Sequence, residues 1–157
     1  MNPAENANHH APAKPLVRFY VFPHASRDAR LQLACQLSEK AQQNGQKTLL
    51  LCEDEAMRAE LDALLWNFRD ASFVTHALPE SDLAAHAAVI LLVPPERGQR
   101  GDIFINLSLE AQPDIPRGCT RVFEIVTNQP DVLTATRKRF AAYRERGLEP
   151  ETHKLKK

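Results

Sequence analysis

Leu49-Leu50-Leu51, set between Lys47 and Cys52, is too short for a helix and shows no polar alternation, so it reads as a strand covered on both faces. Such a strand needs layers above and below it, and its flanks supply them. Upstream, Val17 to Phe22 is an apolar, β-branched and aromatic run. Ser26 then caps a helix with the face Leu33, Ala34, Leu37 and Ala41, stopped by Asn44-Gly45. Downstream, Glu53-Asp54-Glu55 opens a second helix that carries Met57, Leu61, Leu64, Leu65 and Phe68 on one face. A β-α-β-α opening favours a parallel sheet between helices.

The stretches from Ser72 to Leu78, Val89 to Val93, Ile103 to Leu107 and Arg121 to Val126 are further strands. Glu96 to Gly101 reads as a hairpin or mobile loop, and Gln112 to Gly118 as a surface connection. A last helix starts after Pro130, with Asp131 as its N-cap, and runs to about Arg146 before Gly147. The expected architecture is one Rossmann-like α/β domain, a mixed and largely parallel sheet flanked by helices, over residues 16–148. Residues 1–15 are expected to be a disordered leader and residues 149–157 a polar, frayed tail. A chain of 157 residues accommodates one such domain and its core.

Charge and composition narrow the function. The formal net charge is zero, so no global positive field collects nucleic acid or anionic membrane. Three cysteines, Cys35, Cys52 and Cys119, have neither CxxC spacing nor neighbouring histidines, which argues against a disulfide framework and a zinc site. No stretch has the length of an apolar membrane span, and no export signal is visible, so a cytoplasmic protein is expected.

Nucleotide chemistry lacks its usual parts. The turn after the first strand, Pro23-His-Ala-Ser-Arg-Asp28, has no glycine, so the backbone cannot approach a pyrophosphate there, and no Gly-Lys-Ser/Thr occurs. Gly98 and Gly101 beside Arg97 and Arg100 could touch phosphate, though a charged loop tip accounts for them equally. Glu53, Asp54 and Glu55 stand where α/β enzymes place catalytic groups and could hold Mg²⁺ or exchange protons. Helix capping by Asp54 and a favourable dipole interaction explain them better. The scattered His24, His76 and His86 form no recognisable triad. No catalytic residue, cofactor or metal is expected.

Two features point instead to partners. Trp66, the only tryptophan, lies about 140° from Leu61 on its helix, away from the apolar face. An exposed indole suits a binding hot spot, and a helix-end indole lying on the next loop is the alternative. On the last helix, Val132, Leu133, Thr136, Phe140 and Tyr143 form an apolar face bordered by Arg137 and Arg144 on one side and Arg139 and Arg146 on the other. Arginine beside an apolar slot suits an acidic peptide or a chain-end carboxylate with a hydrophobic side chain beneath it. A solvated helix face whose cations answer the dipole accounts for the same composition.

Taken together, Cys52-Glu-Asp-Glu55, Leu61-Asp-x-x-Leu-Trp66, Ser72-Phe-Val-Thr-His76 and Arg137-Lys-Arg-Phe-x-x-Tyr-Arg144 resemble, in order and spacing from Val17 to Gly147, the chi subunit of bacterial DNA polymerase III. The resemblance implies a non-catalytic accessory protein of the clamp-loader complex with an α/β fold and no bound nucleotide. It implies a surface for the psi subunit at Trp66, Phe73 and Leu78, which could serve another partner such as a repair helicase. It also implies a site for the acidic, hydrophobic-ended C-terminal tail of single-stranded-DNA-binding protein at Arg137, Phe140 and Val126, with Leu133 where the family commonly has lysine. Thr75 replaces the usual proline in the Ser-Phe-x-Pro-His stretch. DNA is then contacted only indirectly, at the replisome. A direct single-stranded nucleic-acid or nucleotide-binding module is the other reading, although the chain has few aromatics to serve as a stacking platform.

Overall fold

A computed structural model describes residues 14–67, 74–96 and 98–156. In chain order the elements are β1 (Leu16–Val21), α1 (Arg27–Gln43), β2 (Thr48–Leu51), α2 (Glu55–Asn67), β3 (His76–Ala77), a 3-10 turn at Ala84–His86, β4 (Val89–Leu92), β5 (Ile103–Asn106), β6 (Arg121–Val126), α3 (Pro130–Glu145) and β7 (Glu151–Lys154). The seven strands form one sheet in the order β3-β4-β2-β5-β6-β1-β7. All pairings among the described strands are parallel, where a mixed sheet was allowed for. The Rossmann-like α/β expectation therefore holds.

Alternation along the strands divides the core into two layers. Leu50, Ile103, Ile105, Phe123 and Ile125 face α1 and α2, meeting Leu31, Ala34, Cys35, Met57, Leu61 and Leu65. Val17, Phe19, Leu49, Leu51, Phe104, Val122 and Val126 face the other way, toward Tyr143 of α3 and Leu148. One helix cannot cover that whole second face. The connection after β5, with Ile115, and the 3-10 turn, with Ala84 and Ala87, pack on it as well. The Gln112 to Gly118 stretch is thus a cover as well as a surface connection. Among its described residues the Glu96 to Gly101 loop carries no strand, so no hairpin is seen there, and Arg97 lies outside the described residues.

Two helix starts follow their local signals. Ser26 accepts a hydrogen bond from the Ala29 amide at 3.0 Å, and the Asp54 carboxylate accepts one from the Met57 amide at 2.9 Å. At α3 the expected cap was two residues late. Gln129 is the N-cap and Pro130 the first helical residue, where its missing N–H costs nothing. Asp131 lies inside the first turn and accepts from the Val132 amide at 2.8 Å. The face of α1 is also rotated from expectation: Leu31, Ala34, Cys35, Ser38 and Ala41 are buried, whereas Leu33 and Leu37 are half-buried. Small side chains let the helix approach the sheet closely.

Two strand expectations need correction. The Ser72 to Leu78 strand contracts to His76–Ala77, since the Thr75 amide is taken by the Gln42 side chain at 2.9 Å. Residues 72 and 73 lie outside the described residues. The polar stretch after Glu149, expected to fray, instead forms the edge strand β7 beside β1, with Arg18 opposite Glu151 and Val21 opposite Lys154. An Arg18–Glu151 ion pair at 3.1 Å, an edge-on Tyr20–His153 contact and the Leu155 amide bonded to the Val21 carbonyl hold it. The leader expectation, apart from Lys14 and Pro15, falls outside the described residues. Among the described residues no helix is long and apolar enough to cross a membrane.

Candidate partner-binding site

The packing of α3 on the sheet begins with a buried polar cluster. Arg139 donates from Nε and Nη2 to the two oxygens of Glu124 on β6, at 2.8 and 2.7 Å, and the Tyr143 hydroxyl donates to the same carboxylate at 2.6 Å. Nη1 of Arg139 donates to the Ser108 and Glu110 carbonyls at 2.8 and 2.7 Å. Both partners of the ion pair are 0% exposed. Burial alone opposes the Arg139 charge, yet Glu124 outweighs it and holds the guanidinium above its ordinary pKa. Burial, then Glu124, drives the Tyr143 phenol well above its ordinary value. Arg139, expected as a flanking surface cation, is therefore consumed by the core.

With α3 fixed in this way, its other flank stays open. Phe140 stacks edge-on against Phe19 of β1, with centroids 5.1 Å apart, and both Phe140 and Leu133 are only half-buried. Between them lies a cavity of about 250 Å³. Its floor is Phe19 and Val21 of β1 and Val126 of β6, and its α3 wall is Leu133, Thr136 and Phe140, with Arg137 as its cation. Thr152 of β7 closes the far side. The structure thus gathers all four residues singled out on this side: Val126, Leu133, Arg137 and Phe140. An apolar chamber with one exposed guanidinium can accept a hydrophobic side chain and pair an adjoining carboxylate.

Phe19, Val21 and Thr152 were not singled out from sequence. The alternation of β1 carries a signal for the first two, because Val17, Phe19 and Val21 share one face. Thr152 lies in a strand whose residues are all exposed, so no hydrophobic pattern marks it.

The second surface is less complete. Trp66 is 61% exposed at the end of α2 and leans edge-on against His76, centroids 5.7 Å apart. The His76 ring is held between the Val74 carbonyl, 2.8 Å from Nδ1, and the Asp62 carboxylate, 3.0 Å from Nε2. Leu78, half-buried, packs on the core cluster beneath α2. Phe73 lies outside the described residues, so its place beside Trp66 is not defined. The two surfaces fall on opposite faces of the sheet: α2 over the β3–β4 side, α3 over β6 and β1.

The acidic cluster has structural partners throughout. Asp54 caps α2, Glu55 pairs with Arg58 at 2.6 Å, and Glu53 lies 3.7 Å from Arg30. Burial raises the Glu53 pKa, with Arg30 opposing. Arg30 is itself buried at the carboxyl ends of β5 and β6, donating to the Ile125 carbonyl at 2.9 Å and the Leu107 carbonyl at 3.4 Å. Burial, with Arg139 adding to it, lowers Arg30 to about 10. This side chain fills the strand-end position where sheets of this kind bind phosphate. Among the described residues, no group of three or more His, Cys, Asp or Glu could hold a metal ion. Cys35, Cys52 and Cys119 are free and buried, and burial pushes each thiol up to about 12.

Comparison with known proteins shows the family. The profile of the family described as DNA polymerase III chi subunit, HolC, matches residues 15–151. The chain is 45% identical over 139 residues to DNA polymerase III subunit chi of Pseudomonas aeruginosa, covering 88% of this chain and 96% of that protein. It is 31% identical over 118 residues to the subunit chi of Escherichia coli K12, covering 74% and 80%. For the subunit chi of Haemophilus influenzae the identity is 29% over 131 residues, covering 83% and 90%.

Proposed function

Since the chain belongs to the DNA polymerase III chi-subunit family, we propose that it is a non-catalytic connector of the replicative polymerase complex. It joins the clamp loader, through psi, to the C-terminal tail of single-stranded-DNA-binding protein, in the cytoplasm at the replisome. The Trp66 surface takes psi or a repair helicase, and the α3 cavity takes the tail.

The observation that carries this reading is the cavity itself. Val126, Leu133 and Phe140 offer an apolar chamber, and Arg137 stands exposed at its edge. A peptide that ends in a hydrophobic residue places its side chain inside and its terminal carboxylate against the guanidinium. Leu133 makes the wall more apolar, so Arg137 supplies the cationic contact there. Exposed cations are screened by salt, while the apolar chamber is not. Avidity then matters, because many tails displayed along coated DNA turn a weak single contact into retention.

Fluorescence anisotropy with a labelled tail peptide tests the reading. The wild-type protein is expected to bind saturably, more weakly as salt rises, and Arg137→Ala to bind at least tenfold more weakly, as for a lost charge-assisted hydrogen bond. Binding that is indifferent to Arg137→Ala, or absent in the wild type, overturns it. Direct single-strand binding has less support: Trp66 is the one aromatic among the large exposed hydrophobic residues described, and stacking grooves need several.

A further inference from the structure

We propose that His76 is a positioning residue for Trp66: the imidazole, fixed to β3 and to α2 at once, holds the indole in the pose in which it meets a partner. This rests on the partner-binding reading of the Trp66 surface above.

Asp62 and Trp66 lie four residues apart on α2, so their side chains stand one above the other on one face of the helix. His76 meets that face from the sheet. Its Nε2 lies 3.0 Å from the Asp62 carboxylate, and its ring meets the indole edge-on, with 82° between the planes and 5.7 Å between the centroids. Edge-on contact at this separation is a favoured arrangement of two aromatic rings. On the other side of the imidazole, Nδ1 lies 2.8 Å from the Val74 carbonyl oxygen. With both nitrogens engaged, the ring cannot turn away from its neighbour.

The imidazole also stands on a firm base. His76 opens β3, opposite Val89 of β4. Thr75, just before it, is bonded three times: its amide donates to the Gln42 side chain of α1 at 2.9 Å, its carbonyl accepts from the Val89 amide at 3.0 Å, and its hydroxyl accepts from the Ala88 amide at 2.8 Å. His76 therefore ties the last turn of α2 to a well-anchored point of the sheet edge.

Burial separates the two roles. The His76 side chain is 2% exposed, whereas Trp66 is 61% exposed. The imidazole has little surface left for a partner, and the indole keeps most of its own. Alternation along β3 puts His76 on the side of Val74 and Leu78, which pack with the core beneath α2, while Ala77 turns to the other layer. His76 and Leu78 thus share the face on which Trp66 rests. An indole already held in one pose loses less freedom on binding, and the difference is gained as affinity.

The test titrates purified psi into the full-length wild type, His76→Ala, Asp62→Ala, Asp62→Asn, Trp66→Ala and the Trp66→Ala/His76→Ala double variant. Trp66 is the only tryptophan, so the fluorescence anisotropy decay of each protein that keeps it, recorded without psi, reports the motion of this one side chain. His76→Ala and Asp62→Ala are each expected to weaken psi binding about fivefold, the scale of ordering one interface side chain, and to enlarge the fast part of the decay that rotamer motion produces. Asp62→Asn, whose amide oxygen still faces Nε2, retains most of the affinity and the wild-type decay. Adding His76→Ala to Trp66→Ala costs nothing further, because the effect runs through the indole. An unchanged decay in both His76→Ala and Asp62→Ala, or a His76→Ala loss that persists in the Trp66→Ala background, overturns the positioning role while the Trp66 surface stands. If the wild type does not bind psi, the psi reading falls and this proposal with it. Asp62 is 53% exposed, so its replacement keeps the fold even where that of the buried His76 does not.

Discussion

Glu124 of β6 and Arg139 of α3 form a two-point ion pair, 2.7 and 2.8 Å, with neither side chain exposed to solvent. The pair ties the helix that carries the candidate tail site to the strand that supplies part of its floor, Val126 being two residues along from Glu124. Removing one member leaves the other as an unpaired buried charge. Arg139→Met is therefore expected to cost about 3–5 kcal/mol of stability, read as a lowered urea midpoint. Adding Glu124→Gln to Arg139→Met should restore part of the loss, because a neutral amide still accepts the Tyr143 hydroxyl. A double variant less stable than Arg139→Met alone would contradict this account.

Trp66 and Leu65 are adjacent on α2 but differ in burial, 61% against 0% exposed. Trp66→Ala should change stability by less than about 0.5 kcal/mol, as surface changes do. Leu65→Ala leaves a core cavity and should cost about 2–5 kcal/mol. Thermal unfolding separates the two. If the Trp66 surface binds psi, Trp66→Ala should also weaken psi binding by tenfold or more, as hot-spot truncations do, with the melting temperature unchanged.

The three buried thiols give the protein an alkaline limit. Burial raises Cys35, Cys52 and Cys119 to about 12 in the fold, whereas unfolded thiols ionise near 8.5. Below about pH 8.5 neither state ionises and this contribution is fully present. As pH rises toward 12 the unfolded state loses protons that the fold retains, so stability falls, by up to about 1.4 kcal/mol per pH unit for each thiol. Urea midpoints at pH 7, 9 and 10 should fall steadily, and less steeply in a Cys35→Ala variant. Equal slopes in the two proteins would contradict burial as the cause.

Ending the chain after Pro150 removes β7 and with it Thr152, the far wall of the cavity. Its side chains are exposed and its Arg18–Glu151 ion pair is a surface contact of little energetic weight. The truncated protein should fold with a small loss of stability, bind a tail peptide more weakly, and aggregate more readily because the β1 edge is bared. Circular dichroism, anisotropy and light scattering report the three effects. Undiminished peptide binding would show that β7 is no part of the site.

Much of this architecture was legible because the signals are local. Leu49 to Leu51 announces a strand buried on both sides, and Ser26 and Asp54 announce helix starts through side chains that bond the next turn. The off-face angle of Trp66 reports its exposure, and the shared face of Leu133 and Phe140 reports the cavity wall. What escaped depends on partners distant in sequence. Arg139 looks like any helix cation until Glu124, fifteen residues earlier, is brought under it. β7 carries no apolar alternation, so pairing with a strand from the other end of the chain was invisible. The face of α1 shifted because Arg30 is buried, and its carbonyl partners lie on β5 and β6.

On the proposed reading, this chain holds two partners together from opposite faces of one sheet. The most direct measurement immobilises single-stranded DNA coated with its binding protein and follows psi retention on the surface by biolayer interferometry. Psi is expected to be retained when this chain is present and to be lost with either Trp66→Ala or Arg137→Ala, each variant still binding the partner at its intact surface. Psi retention that survives Arg137→Ala, or a single substitution that abolishes both partner contacts, would contradict two separate surfaces joined by one fold.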